Sequence, residues 1–315
     1  MAVCIRALRE SDVDAAATMV HESFRHLAAA NNAFSFIASS REHTREVVGD
    51  ALRNANCKAL VAVIGDDDPA ATPLGFVAVN RMGSAWDLGP VGVALGQQSR
   101  GLGRTLVRAG LAAAAEGAAG GDQGPPLVFL TVDTYNMPAV GLYADCGFDM
   151  TKGGAMVVME FSPRTADPDG PAAATDHVRL ARPEDHASCA ALSRRHAALD
   201  LGDDTRKHAA RLQVVCRAAD GAPPAVVGYV TQWNMSGHLV ADDAAAATAL
   251  LRHAEAEHCA APADTLPRIC VPLELQPEIF RGMLARGWRC VKALLMMTHG
   301  RPYALPEGGV YFPQC

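Results

Sequence analysis

Two stretches of the chain bring together residue types that can do chemistry. The first, Gly89–Gly103, reads GPVGVALGQQSRGLG. A strand ends at Val93, a loop runs through Gln98, Ser99, Arg100, Gly101, Leu102 and Gly103, and a helix follows. The first N–H groups of a helix have no partner in the helix ladder. Together with the helix dipole they form an anion site. Gly101 and Gly103 remove side chains, so a bulky anion such as a diphosphate can reach the backbone. Arg100 and Arg104 add positive charge at the rim. Read alone, the stretch is equally a glycine-rich turn without a ligand. It is not a P-loop, because no Lys-Ser/Thr pair follows the glycines. It is also a poor dinucleotide fingerprint, being QxxGxG in mid-domain rather than GxGxxG after a first strand, which argues against a nicotinamide-dependent oxidoreductase.

In the second stretch the apolar run Leu127–Val132 ends in Asp133-Thr134-Tyr135-Asn136, and MPAVGLYADCGF continues to Phe148. Asn136 can cap the helix Met137–Asp145 or offer its amide to a ligand. Tyr143 follows Asn136 by seven residues, about two helical turns, so both can face one side. A phenol there, with an ordinary pKa of about 10, can donate a proton to a reacting centre. The alternative is a core tyrosine with a satisfied hydroxyl.

These residues need a scaffold. Hydrophobic periodicity and turn signals predict strands over Val3–Ala7, Ala59–Ile64, Leu74–Asn80, Leu88–Val93, Leu127–Val132 and Met156–Phe161. Helices are expected from Asp12 to about Ala28, over His43–Asn54, from Gly103 to about Gly117, and over Met137–Asp145. A loop rich in Asn and Phe is placed between Phe24 and Ser40. Strands mix with helices, so the class is α/β (α+β) with a mixed sheet.

The two motifs, in this order and with this element sequence, resemble the GNAT superfamily of acyl-CoA-dependent N-acyltransferases over about residues 3–160. Gln98-x-x-Gly101-x-Gly103 matches that family's pyrophosphate loop, and Asn136 with AVGLYADCGF matches its later motif. The resemblance implies a sheet whose central parallel strands, Leu88–Val93 and Leu127–Val132, splay apart to take acetyl-CoA. Val91, Gly92 and Val93 would pair with the pantetheine amides. Gln98, Ser99, Arg100, Gly101, Leu102, Gly103 and Arg104 would bind the diphosphate, with Thr105 in reach. Asn136 would contact the cofactor arm, and Tyr143 would protonate the departing thiolate. Asp87 stands where related enzymes place an acidic residue as base; alternatively it is a strand-end turn carboxylate. Phe24, Phe34 and Phe36 would line the acceptor pocket or pack in the core. The implied activity is acetyl transfer to a small amine, an amino acid or a peptide N-terminus, on a monomer or homodimer. A non-catalytic acyl-CoA-binding protein is the competing reading.

The halves echo one another. IRALRESD (5–12) matches VRLARPED (178–185), LGFVAVN (74–80) matches VGYVTQW (227–233), and YADCGFDM (143–150) matches MLARGWRC (283–290). The Pro/Gly/Asp-rich stretch 163–176 reads as a linker between a catalytic domain 1–162 and a second domain 177–315. In the second domain the diphosphate loop is replaced by HLVADDAAA, with Asp242 and Asp243 where a diphosphate would be repelled, and Met283 stands at the place of Tyr143. The expectation is two GNAT-like domains, each a splayed mixed sheet flanked by helices, the second degenerate.

Composition bounds the rest. The chain has 315 residues, half of them apolar, and a net charge of −6. A mildly acidic chain has no electrostatic footprint for nucleic acid or anionic membranes. No apolar run is long enough to span a bilayer and no leader is read at the N-terminus. The nine cysteines lack a CxxC pair and read as reduced thiols of a cytoplasmic protein. His253 and His258 are five apart, off the spacing that aims both at one metal, so no metal is expected.

Overall fold

The computed structural model describes residues 3–65, 72–118, 124–162, 177–219, 222–259, 266–305 and 308–314; the linker expected over 163–176 lies outside them. The chain forms two compact units that do not follow chain order. The first is Met1–Asp149 with Met297–Pro302, and the second is Met150–Met296 with Tyr303–Cys315.

The first unit begins with β1 (Val3–Ala7), α1 (Val13–Ala30) and α2 (Arg41–Arg53), then β2 (Cys57–Ile64), β3 (Gly75–Met82) and β4 (Ala85–Val93). It closes with α3 (Leu102–Ala118), β5 (Leu127–Asp133) and α4 (Met137–Asp145). Strands β1 to β4 form an antiparallel meander, and β5 joins β4 in parallel.

The two-residue period of β3 decides which layer each side chain meets. Phe76 and Ala78 enter the cluster formed with α1 and α2, including Val13, Ala16, Val20 and Val48. Gly75, Val77 and Val79 face α3. A Cβ on Gly75 would lie 2.6 Å from Leu106, and one on Gly110 would lie 3.0 Å from Val79. Helix α3 therefore packs against the sheet through glycines on both sides of the contact. Fully burying a side chain such as Leu106 contributes about 1.5–3 kcal/mol.

The second unit holds β6 (Asp149–Phe161), β7 (His177–Leu180), α5 (His186–His196), α6 (Gly202–Lys207), β8 (Gln213–Ala219), β9 (Ala222–Val230) and β10 (Leu239–Ala241). Then come α7 (Ala244–His258), β11 (Arg268–Pro272), α8 (Pro277–Ala285), β12 (Trp288–His299, whose last residues from Met297 belong to the first unit) and β13 (Val310–Phe312). Strands run in the order β7-β8-β9-β10-β13 in one sheet, while β11 pairs antiparallel with β6. The core joins Phe161, Leu250, Ile269, Met283, Trp288 and Phe312.

The internal echo is a structural identity at the start of each unit. Arg6 donates to Asp12 through two bonds of 2.6 and 3.0 Å, and the Arg9 N–H adds a third of 2.8 Å. Arg179 and Asp185 repeat this at 2.6 and 3.0 Å, with the Arg182 N–H at 2.7 Å. The Arg6 guanidinium holds the Asp12 carboxyl below the usual carboxylate range. With side chains 9% and 2% exposed, this pair is desolvated. Asp12→Ala strands a buried cation and is expected to cost about 3–5 kcal/mol, read as a loss of chemical-denaturation stability.

Among the described residues seven cysteines are free thiols, but Cys270 is disulfide-bonded, which corrects the reading of all nine as reduced. Which thiols meet is decided by tertiary proximity, and sequence spacing does not reveal it. Among the described residues no helix is long and apolar enough to cross a membrane.

Candidate active site

The parallel ladder between β4 and β5 is short. It pairs Ala85 with Leu127, Trp86 with Val128 and Asp87 with Phe129, and stops there. Beyond this point β4 continues to Val93 and β5 to Asp133, leaving a fork with Asp87 at its apex. On its other edge β4 stays paired with β3 through Val93, interrupted by a bulge opposite Ala78 at Gly89–Pro90. Proline in a strand is a sequence sign of such an irregularity.

Strand alternation then orients the backbone along the fork. The Ala94 N–H donates to Leu74 O at 2.9 Å, so Gly92 turns its polar groups to β3, and Val91 and Val93 turn theirs to the β5 side. Gln98 bears this out for Val93: its side-chain amide donates to Val93 O at 3.2 Å. Gly92 has a packing role as well, since a Cβ there would sit 3.0 Å from Val20 of α1.

The loop from Ala94 to Gly101 leads directly into α3. Ser99 and Gly101 adopt left-handed backbone, with φ of 61° and 85°. A Cβ placed on Gly101 would meet nothing within 4 Å, so the requirement for glycine is conformational and the helix head is left open. Gly103 differs. A Cβ there would lie 3.2 Å from Leu142 of α4, so this glycine serves helix packing in addition to opening the loop. Arg100 is exposed, whereas Arg104 donates to Asp145 at 2.6 Å and its charge is shared with that carboxylate. The Thr105 hydroxyl donates to Gly101 O at 3.3 Å.

Helix α4 is fastened to this loop. Leu142 and Asp145, on either side of Tyr143, both touch the first turn of α3 through Gly103 and Arg104. The two motifs, distant in sequence, thus meet in one place. The contact Arg104–Asp145 spans 41 residues and carries no sequence signal. Asn136 caps α4, its side chain accepting from the Ala139 N–H at 3.4 Å. Tyr143 is only 9% exposed, with its ring against Phe148 at 5.9 Å. Among the described residues its hydroxyl has no hydrogen-bond partner. Burial, then the nearby Cys146 and Asp133, push its pKa well above the ordinary value, so the phenol stays protonated. Sequence reasoning missed the neighbouring pair Tyr135–Asp133, joined by a 2.7 Å bond at the end of β5.

Asp87 faces the opposite layer. Its neighbour Leu88 points at α3, where its Cδ1 lies 3.1 Å from the Cβ position of Gly110, so alternation turns Asp87 toward the α1–α2 side. Desolvation raises its pKa from the carboxylate range to about 7. Of the three phenylalanines, Phe24 lies on α1, within the helix expected from Asp12 to about Ala28 and not in the loop reading that overlapped it, and packs against the core. The helix continues because FRHLAAA holds good helix formers and no breaker. Phe34 is 55% exposed and meets Phe36 edge-to-face at 5.0 Å in the loop between α1 and α2.

Among the described residues no group of three or more His, Cys, Asp and Glu side chains is placed to hold a metal ion. His253 faces Glu257 at 3.3 Å, and His258 Nδ1 lies 2.9 Å from Ala254 O.

Residues 21–148 match the model of the acetyltransferase (GNAT) family. That match lies within the first half of the chain. Whole-chain likenesses extend the fold to both halves. A candidate acetyltransferase from Pyrococcus horikoshii aligns with 97% of this chain and 93% of its own, at 16% identity and a TM-score of 0.66. A GCN5-related N-acetyltransferase from Sphaerobacter thermophilus aligns over 96% and 98%, at 14% identity and 0.63. A tandem GNAT protein from the clavulanic acid biosynthesis pathway aligns over 96% and 100%, at 14% identity and 0.59. At these identities the likeness shows the fold, that of two GNAT-like domains in tandem. No curated protein matches the chain in sequence. The GNAT family match over residues 21–148 supports acyl transfer from an acyl-CoA as the general chemistry.

Proposed function

We propose that residues 1–162 form an N-acetyltransferase domain that moves an acetyl group from acetyl-CoA to a primary amine by direct attack in a ternary complex. A small amine, an amino acid or a peptide N-terminus is the acceptor. The observation that carries this is the fork between β4 and β5. It is bordered by the open helix head of α3, by the buried phenol of Tyr143 and by a carboxyl with a pKa of about 7.

In this reading the outward amides of Val91 and Val93 receive the pantetheine arm as an added strand, with Gly92 between them. The loop from Gln98 to Thr105 holds the diphosphate at the helix head. Asn136 offers its side-chain amide to the arm. The neutral amine attacks the thioester carbon. A backbone N–H near Val91 stabilises the developing oxyanion. Asp87 takes the proton from the amine, directly or through water, and Tyr143 gives its proton to the departing thiolate sulfur. Phe34 and Phe36 line the approach of the acceptor, while Phe24 serves the core.

The test is release of free CoA thiol from acetyl-CoA across a panel of amines. Turnover with at least one amine class is expected; uptake of acetyl-CoA with no thiol release on any amine would favour a non-catalytic acyl-CoA-binding protein. A second outcome tests the diphosphate loop. Gly101→Val forces a β-branched residue into left-handed backbone, at about 1–2 kcal/mol. A rise of about tenfold or more in the acetyl-CoA Kd is expected, and an unchanged Kd would remove the loop from the site.

A further inference from the structure

The second unit contains the counterpart of the fork, and a segment of the chain itself lies in it. Register defines the correspondence. Gly75 pairs with Val93 in the first unit, and its counterpart Gly228 pairs with Ala241 in the second. Leu239, Val240 and Ala241 therefore correspond to Val91, Gly92 and Val93. The backbone bond that follows is repeated too: Ala94 N–H to Leu74 O at 2.9 Å, Asp242 N–H to Val227 O at 2.8 Å. Leu239 and Ala241 thus turn their amides away from β9, as Val91 and Val93 turn theirs away from β3.

In the second unit that edge is filled. β13 pairs antiparallel with β10, placing Phe312 opposite Leu239, Tyr311 opposite Val240 and Val310 opposite Ala241. These three side chains are 0%, 6% and 2% exposed. Gln276 precedes α8 as Asn136 precedes α4, and its side-chain amide donates to Gly309 O at 3.1 Å. At the head of α7 the Asp243 carboxylate accepts from the Ala246 N–H at 2.9 Å and is clamped by Arg217 at 2.7 Å. Gly309 has φ +75°, and a Cβ there would collide with the His196 ring, so only glycine fits. Each feature assigned to the acyl-CoA arm in the first unit has an intrachain substitute in the second.

We propose that the outer edge of β10 is a binding site for an extended peptide, occupied in cis by Gly308–Phe312 in the position the acyl-CoA arm takes in the first unit. The correspondence with the arm rests on the acetyltransferase reading; the peptide site itself rests on the β10–β13 pairing. Main-chain bonds supply the affinity and the pockets for Val310 and Phe312 supply selectivity, as in β-strand addition. The second unit is consequently closed to acyl-CoA.

To test this, a protease site is inserted after Leu305, and the folded chain is cut in dithiothreitol because Cys270 is disulfide-bonded. The cut fragment is expected to stay with the chain through gel filtration with the chain's tryptophan emission unchanged. A labelled peptide of residues 308–314 should exchange into the site, and its Phe312→Asp version should compete on the order of tenfold more weakly or worse. Loss of the fragment with unchanged emission, or competition indifferent to Phe312→Asp, would overturn the proposal. If the cut chain unfolds, Gly309→Ala in the uncut chain serves instead. Amide exchange at Leu239 and Ala241 should quicken about tenfold or more, and unchanged exchange overturns the proposal. Calorimetry separates the two readings. One acetyl-CoA per intact chain is expected and two would show an open second slot, whereas none would sink the acetyltransferase reading and leave the peptide result standing.

Discussion

Asp87→Asn is expected to lower kcat/KM by about 10²–10⁴-fold, the usual contribution of a positioned base. It should also remove the acid limb from the pH profile. In the native chain that limb should have its midpoint near pH 7, because desolvation at the apex of the fork lifts the carboxyl to about that value. Activity rises with pH through this midpoint, since the base acts only when ionised. Stability runs the other way. The carboxyl binds its proton more tightly in the folded state than in the unfolded one, so between about pH 4 and 7 native stability falls as pH rises. Asp87→Asn should therefore be at least as stable as the parent at pH 8 while being nearly inactive. Parallel pH–rate and thermal-melt measurements check both halves. An acid limb that survives the substitution would assign the proton transfer to another group.

Tyr143→Phe should reduce kcat by about 10²-fold, within the range for loss of a proton donor, and change the acetyl-CoA Kd by less than about twofold. The substitution removes an oxygen that makes no hydrogen bond among the described residues, so little structure depends on it. The ring contact with Phe148 is kept, and the buried ring should hold the fold. Because burial raises the phenol pKa, no alkaline limb from this residue is expected below its ordinary value near pH 10. Single-turnover rates combined with equilibrium binding check this. A collapse of cofactor affinity with kcat retained would make Tyr143 a packing residue.

Much of the scaffold is legible in the sequence because it depends on local rules. The separate strands that make up the meander, the helix after QxxGxG and the helix Met137–Asp145 follow from periodicity and caps over adjacent residues. Where local signals blur, the ends differ. β4 starts at Ala85, ahead of the expected Leu88, and β6 begins at Asp149, ahead of the expected Met156. The early part of β6, DMTKGGA, carries two glycines and two charges that hide a strand. At Phe24 the helix expected to about Ala28 holds and the overlapping loop does not, and Phe24 packs in the core; apolar and aromatic types do not by themselves distinguish a pocket lining from a core.

The amino-acid sequence by itself determined the scaffold that presents the candidate residues, that the fold repeats, and that QxxGxG has no counterpart in the second half, because these rest on residue type and order. Only the tertiary structure decided that the ladder stops at Asp87, that Gly103 and Arg104 answer to Leu142 and Asp145, and that β13 fills the slot beside β10. Those outcomes depend on which strand edges and side chains meet after long loops close, and no neighbour in sequence encodes such a meeting.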